Sequence, residues 1–137
     1  MGAHKRRKPA GEAHVRIYRH ELECPAWRTL DPDARALLLE LRALYQPAQG
    51  NVVFLSVREA MARLGIGQRR VQGAFRALLD RGWIVTHERG SFTLKARHAT
   101  SYRLENEPSA APGAVPSKAY MRWQPPDHTP PYAKKTR

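Results

Sequence analysis

The sequence predicts an α+β fold, in which a mainly α-helical domain is completed by a small β-hairpin. Apolar residues recur at helical spacing in several segments and alternate in later ones, and the aliphatic and aromatic residues are concentrated between Val15 and Leu104. We therefore assign residues 14–106 to a single domain. Residues 1–13 are predicted to be a disordered basic arm, and residues 107–137, which are rich in proline, a flexible tail.

The first long helix is predicted from its start signal. Asp31 can accept hydrogen bonds from the free N–H groups of a first helical turn, Pro32 fits the first helical position, and Asp33 favours the positive end of the helix dipole. The apolar residues that follow share one helical face: Ala34, Leu37, Leu38, Leu41, Leu44 and Tyr45. Before this helix, Pro25 is predicted to open a short helical turn.

Two further helices are predicted on either side of a break that contains two glycines. Ser56 followed by Glu59 has the spacing of a capping box and marks the start of the first helix. Residues 65–67 break it, and the second helix then runs from about Gln68 to Arg81. Gly82 ends the second helix, at a position where a left-handed residue is usual.

Short strands are predicted around this helical pair. Val52 to Leu55 precedes the pair, and Trp83 to Thr86 follows it. Arg89-Gly90 is a candidate turn, and apolar residues then alternate at Phe92 and Leu94 and again at Tyr102 and Leu104. This pattern predicts a β-hairpin with basic residues in or near its tip. Helix, helix, tight turn, helix and hairpin is the element order of a winged helix-turn-helix domain. The three residue types that allow two helices to cross closely are a small residue, a turn glycine and a β-branched anchor, at Ala60, Gly65 and Val71.

Two stretches, residues 56–67 and 74–84, resemble the core of bacterial winged helix-turn-helix regulators. A wider stretch, from Pro25 to Thr100, is similar to small helix-turn-helix proteins of proteobacterial plasmids, prophages and integrated mobile elements. The resemblance implies DNA binding. It does not distinguish repression from replication control or excision of an element.

The charge of the chain also favours a polyanionic partner. The net charge is +12, and residues 56–104 carry ten basic and three acidic side chains. Residues 1–20 add a net +5, whereas residues 21–55 are acidic. The sequence contains no apolar run of about 18 residues, so no membrane span is predicted. The single cysteine, Cys24, cannot form an intrachain disulfide, which fits a reducing compartment. Together with the basic charge, this predicts a cytoplasmic, nucleoid-associated protein.

The candidate DNA contacts follow from the helical wheel. Val71, Phe75 and Leu78 mark the buried side of the second helix, so its opposite face is expected to enter the major groove. The residues assigned on this helix are Gln68, Arg69, Arg70, Gln72, Gly73 and Arg76. Those assigned in the wing are Arg89, Ser91, Lys95, Arg97 and His98. Those assigned in the arm and the first helix of the pair are Lys5, Arg6, Arg7, Lys8, Ser56 and Arg58.

We therefore expect sequence-specific binding to double-stranded DNA, by a transcriptional regulator that acts as a homodimer on a palindromic site. Two alternatives stay open: a replication or recombination accessory protein that recruits partners through its tail, and a protein–protein adaptor. Residues 118–124, which include Tyr120 and Trp123, are the candidate docking segment for a protein partner. No motif for catalysis, metal binding or cofactor binding is recognisable, so we expect no enzyme activity, no metal and no cofactor.

Overall fold

The structure, a computed structural model, describes residues 11–93 and 96–126, with the backbone alone for the strand residues 91–93 and 96–98. These residues form an α+β fold. The helices are α1 (Arg19–Glu23), α2 (Pro25–Arg28), α3 (Pro32–Leu44), α4 (Val57–Leu64) and α5 (Gln68–Asp80). The strands are β1 (Val53–Phe54), β2 (Ile84–Glu88), β3 (Ser91–Thr93), β4 (Ala96–His98) and β5 (Ser101–Leu104).

The start and stop signals act at the predicted positions. The Asp31 carboxylate accepts a hydrogen bond from the Ala34 N–H at 2.8 Å, and Pro32 is the first residue of α3. The Ser56 hydroxyl accepts from the Glu59 N–H at 3.0 Å, which begins α4. The Glu59 carboxylate is hydrogen-bonded to Arg63 instead of completing a capping box.

The core lies between α3, α5 and the sheet. The predicted apolar face of α3 is buried at Ala34, Leu37, Leu38 and Leu41. The facing side of α5 is buried at Val71, Ala74, Phe75 and Leu78. Leu39, which the wheel places off the core face of α3, is 43% exposed. The two longest helices, α3 and α5, are thus held against each other by apolar packing. The side of α5 that carries Arg69 and Arg76 is exposed.

The main sheet has three antiparallel strands in the order β1-β5-β2. β5 lies in the middle: Tyr102 pairs with both Val53 and Thr86, and the register of β2 shifts between Thr86 and Glu88. β3 and β4 form a separate antiparallel pair, whose innermost partners are Thr93 and Ala96.

The candidate turn Arg89-Gly90 does not close the hairpin as predicted. It joins β2 to β3, and the Gly90 N–H donates to the Thr100 hydroxyl at 3.0 Å. After this turn β3 pairs with β4, from Ser91 opposite His98 to Thr93 opposite Ala96.

The predicted flexible tail needs correction over residues 107–126. Tyr120 is 1% exposed and belongs to the core cluster, where its ring stacks on Trp83. The Lys118 N–H donates to the Glu105 carbonyl at 2.9 Å, and the Asn51 amide donates to the carbonyls of Leu104 and Glu107. The proline-rich composition is compatible with this packing because a few aromatic contacts hold the segment. Residues 127–137 lie outside the described residues.

Candidate nucleic-acid interface

The interface is built on α4 and α5, which three residues connect. Gly65 ends α4 in a left-handed conformation, with φ 67° and ψ 32°, which a side chain would strain. The small Ala60 and the β-branched Val71 are both fully buried where the helices meet. The sequence therefore positions α5 through a tight corner, as the spacing of these three residues predicts.

One face of α5 is exposed. Gln68, Arg69, Gln72 and Arg76 all have exposed side chains, and Gly73 is half-buried between them. At 100° per residue Arg69, Gly73 and Arg76 lie opposite the buried side of α5. Gln72 flanks them, and Gln68 is exposed at the first position of the helix. The structure thus brings together five of the six residues that the sequence assigns to this helix.

The sixth residue, Arg70, is also exposed but is paired with an acidic residue of α3. Its Nε and Nη2 atoms donate to the two carboxylate oxygens of Asp33, at 2.8 and 2.7 Å, so the guanidinium is turned toward the start of α3. Hydrogen bonding to Arg70 lowers the pKa of the Asp33 carboxyl, which keeps the pair ionised at neutral pH. Arg70 is on the exposed surface, but Asp33 already occupies one of the two bidentate edges of its guanidinium.

The other arginines of this region fall into two groups. Arg63 pairs with Glu40 and Glu59, and Arg81 donates to Thr29, so these cations are held by their own chain. No hydrogen bond or ion pair among the described residues involves the side chains of Arg58, Arg69 and Arg76. Among the described arginines of α4 and α5, those without a side-chain partner therefore lie on the exposed face of α5 and at the start of α4.

An apolar groove lies beside this face, and the sequence did not predict it. Val57, Phe75, Leu79 and Tyr102 form much of its wall, and the side chains of Gln72 and Arg76 border it. Its volume is about 380 Å³. Phe75 and Tyr102 stack with ring centroids 5.1 Å apart, which fixes one side of the groove. Because β5 is distant from α5 in sequence, no local pattern indicates this juxtaposition.

The structure bears less on the remaining assigned residues. Ser56 caps α4, Arg58 is exposed in its first turn, and Arg89 is exposed at the end of β2. Ser91, Arg97 and His98 lie in β3 and β4, where the backbone alone is described. Lys5, Arg6, Arg7, Lys8 and Lys95 lie outside the described residues.

The candidate docking segment, residues 118–124, packs against the rest of the chain. Tyr120 is buried, and the guanidinium of Arg81 lies 4.9 Å from the Trp123 ring centroid. Arg122 donates to the Ser117 carbonyl at 2.9 Å. These contacts leave the aromatic residues that suggested a docking segment engaged with the chain itself.

The described residues contain neither a metal-binding cluster nor a membrane-spanning helix. No group of three or more His, Cys, Asp or Glu side chains is arranged to hold a metal ion. None of the helices in this part of the chain has the length and apolar character needed to cross a membrane.

Comparison with known protein families, with curated proteins and with solved structures finds no match to this chain. Function is therefore inferred from the residues and the geometry of the α4–α5 face.

Proposed function

We propose that this chain is a winged helix-turn-helix protein that binds double-stranded DNA sequence-specifically and regulates transcription. In this proposal α4 and α5 form the helix-turn-helix, α5 is the recognition helix, and the strands from β2 to β5 supply the wing. The observation that carries the proposal is the exposed face of α5, where the side chains of Arg69, Gln72 and Arg76 have no hydrogen bond or ion pair with any described residue, while Arg63 and Arg70 are paired.

This face has the chemistry of base and phosphate recognition. The major groove admits an α-helix, and there an arginine can bind O6 and N7 of guanine and a glutamine can bind N6 and N7 of adenine. Arg69 and Gln72 lie in the N-terminal half of α5, which usually meets the base edges. Arg76, a turn further on, and Arg58, at the start of α4, are placed for phosphate contacts.

The alternative of an accessory protein that recruits partners through its tail loses one of its premises. The part of the tail with the strongest aromatic signal, around Tyr120, is packed into the core. We therefore favour direct regulation over recruitment through this segment.

The proposal is tested on duplexes selected from a random pool by the full-length protein. Arg69→Ala should weaken binding to the selected site by about 10- to 100-fold, the worth of one bidentate base contact. Arg28→Ala is the matched control, because it removes the same charge from an exposed arginine of α2. It should change the affinity little.

Two results would count against the proposal. If Arg69→Ala and Arg28→Ala bind the selected site equally well, α5 is not the recognition helix. If affinity for duplex DNA does not fall with rising salt, the protein makes no substantial phosphate contacts, and the adaptor alternative is favoured.

A further inference from the structure

The ion pair between Arg70 and Asp33 lies at the edge of the proposed recognition surface. Arg70 is in the first turn of α5, next to the exposed Arg69, and its side chain is 63% exposed. Asp33 is in the first turn of α3, and its side chain is 22% exposed. The pair therefore joins the N-terminal ends of the two longest helices where a DNA backbone would pass.

The Asp33 carboxylate occupies one edge of the Arg70 guanidinium. Both bonds are shorter than 3 Å and use the Nε–Nη2 edge, which is one of the two guanidinium edges that could hold a phosphate or a guanine in a two-bond contact. While Asp33 holds this edge, Arg70 cannot offer it to DNA.

The carboxylate is stabilised in its charged form from two directions. The positive end of the α3 dipole favours an anion in its first turn. The Arg70 guanidinium lowers the pKa of Asp33, and Asp31, the N-cap of α3, adds negative charge near Arg70. A phosphate group that approaches Arg70 must therefore replace an ionised carboxylate, and meets a second acidic residue beside it.

We propose that Asp33 acts as an autoinhibitory residue, which competes with DNA phosphates for Arg70 and so lowers the affinity for duplexes of any sequence. This inference rests on the proposed function, because it assumes that DNA lies against α5. In this proposal Arg69 contacts the DNA, whereas Arg70 is kept from the DNA by its ion pair with Asp33.

The test uses full-length protein and a random-sequence duplex, with the dissociation constant measured between 50 and 200 mM salt. Asp33→Asn should bind more tightly than wild type at 50 mM salt. Its affinity should also fall roughly 3.5-fold more over this range, which corresponds to one added phosphate contact. Arg70→Ala alone should change neither the affinity nor the salt dependence substantially. The double variant, Asp33→Asn with Arg70→Ala, should lose the added salt dependence.

Glu40→Gln is the matched control. It removes one negative charge from the same helix and one ion pair from an arginine, but Arg63 stays paired with Glu59. Any effect of net charge alone appears in this control. Circular dichroism and thermal unfolding of each variant check that the fold is retained.

Three outcomes would overturn the inference. If Asp33→Asn steepens the salt dependence no more than Glu40→Gln does, Arg70 is not released to DNA. If Arg70→Ala in the wild-type background removes about one phosphate contact from the salt dependence, Arg70 already binds DNA. If wild-type protein shows no salt-dependent duplex binding, the proposed function fails first, and this inference fails with it.

Discussion

The ring of Tyr120 stacks on the indole of Trp83, with centroids 4.1 Å apart and planes within 8° of parallel. Both side chains are 1% exposed. Trp83 follows directly on Gly82, at the end of α5, and its indole N–H donates to the Ala26 carbonyl at 3.2 Å. This stack therefore joins the C-terminal segment, the end of the proposed recognition helix and α2 in a single packed layer.

We predict that Tyr120→Ala destabilises the protein by about 3–5 kcal/mol, the range found when a large buried aromatic side chain is removed. Tyr120→Phe keeps the stack and removes only the hydroxyl, which interacts with the Glu21 carboxylate, so it should cost only about 1–2 kcal/mol. Urea unfolding followed by tryptophan fluorescence measures both. Val115→Ala, at a position that is 80% exposed, is the control and should be neutral. Equal stability of Tyr120→Ala and this control would show that the segment does not contribute to the core.

A buried ion pair lies beside the stack. Arg42 donates to the two carboxylate oxygens of Glu21, at 3.1 and 2.5 Å, and both side chains are almost fully buried. Glu21→Gln leaves the Arg42 charge buried without a counter-charge, so we predict a loss of about 3–5 kcal/mol in the free energy of unfolding. Glu23→Gln is the control, because Glu23 is an exposed residue of the same helix. A loss no larger than that of this control would contradict the prediction.

The same pair predicts a pH dependence of stability. Burial raises the pKa of the Glu21 carboxyl, but hydrogen bonds from Arg42 and from the Tyr18 N–H outweigh it, and the net pKa is below the ordinary value of 4.5. A carboxyl with a lowered pKa stabilises the fold above its unfolded pKa, and this stabilisation is lost as the pH falls through its folded pKa. The free-energy difference between wild type and Glu21→Gln should therefore be constant above about pH 5 and narrow below it. A difference that does not change down to pH 3 would contradict this assignment.

Much of the fold could be predicted because its signals are local. The Asp31 cap with Pro32, and the left-handed glycines at 65 and 82, act within one helical turn of their own position. The docking of Tyr120 could not be predicted in this way. It depends on a contact with Trp83, 37 positions earlier in the chain, and the proline-rich residues around Tyr120 have no periodicity that indicates a buried face.

The same distinction applies to the candidate site. The helical wheel predicts which residues of α5 are exposed, and Arg69, Gln72 and Arg76 are exposed. A wheel does not show what an exposed side chain meets on a neighbouring helix. The pairing of Arg70 with Asp33 therefore appears only in the folded chain.

The tight contact between Gly82 and the C-terminal segment provides a further prediction. Gly82 has φ +78°, and a Cβ placed there would lie 2.9 Å from the Ala119 Cβ and 3.0 Å from the backbone nitrogen of Tyr120. Gly82→Ala should therefore destabilise the protein by more than about 1 kcal/mol, because it adds a steric clash to the strain of a left-handed residue. Gly65→Ala has a similar φ but no atom within 4 Å, so it should show the strain alone and cost less. Thermal unfolding compares the two, and an equal loss would contradict the close packing at Gly82.

Gly73 provides a prediction in which stability and DNA affinity change in opposite directions. It lies in the interior of α5, where glycine costs about 1 kcal/mol relative to alanine, and a Cβ there would meet no atom of the protein within 4 Å. Gly73→Ala should therefore raise the free energy of unfolding by about that amount. In the proposed complex this backbone faces the major groove between Arg69 and Arg76, so the added methyl group should weaken binding to the selected duplex. Unfolding by urea and titration with the duplex measure the two effects on the same preparation. A variant that is more stable and binds DNA as tightly as wild type would show that the backbone at Gly73 does not approach the DNA.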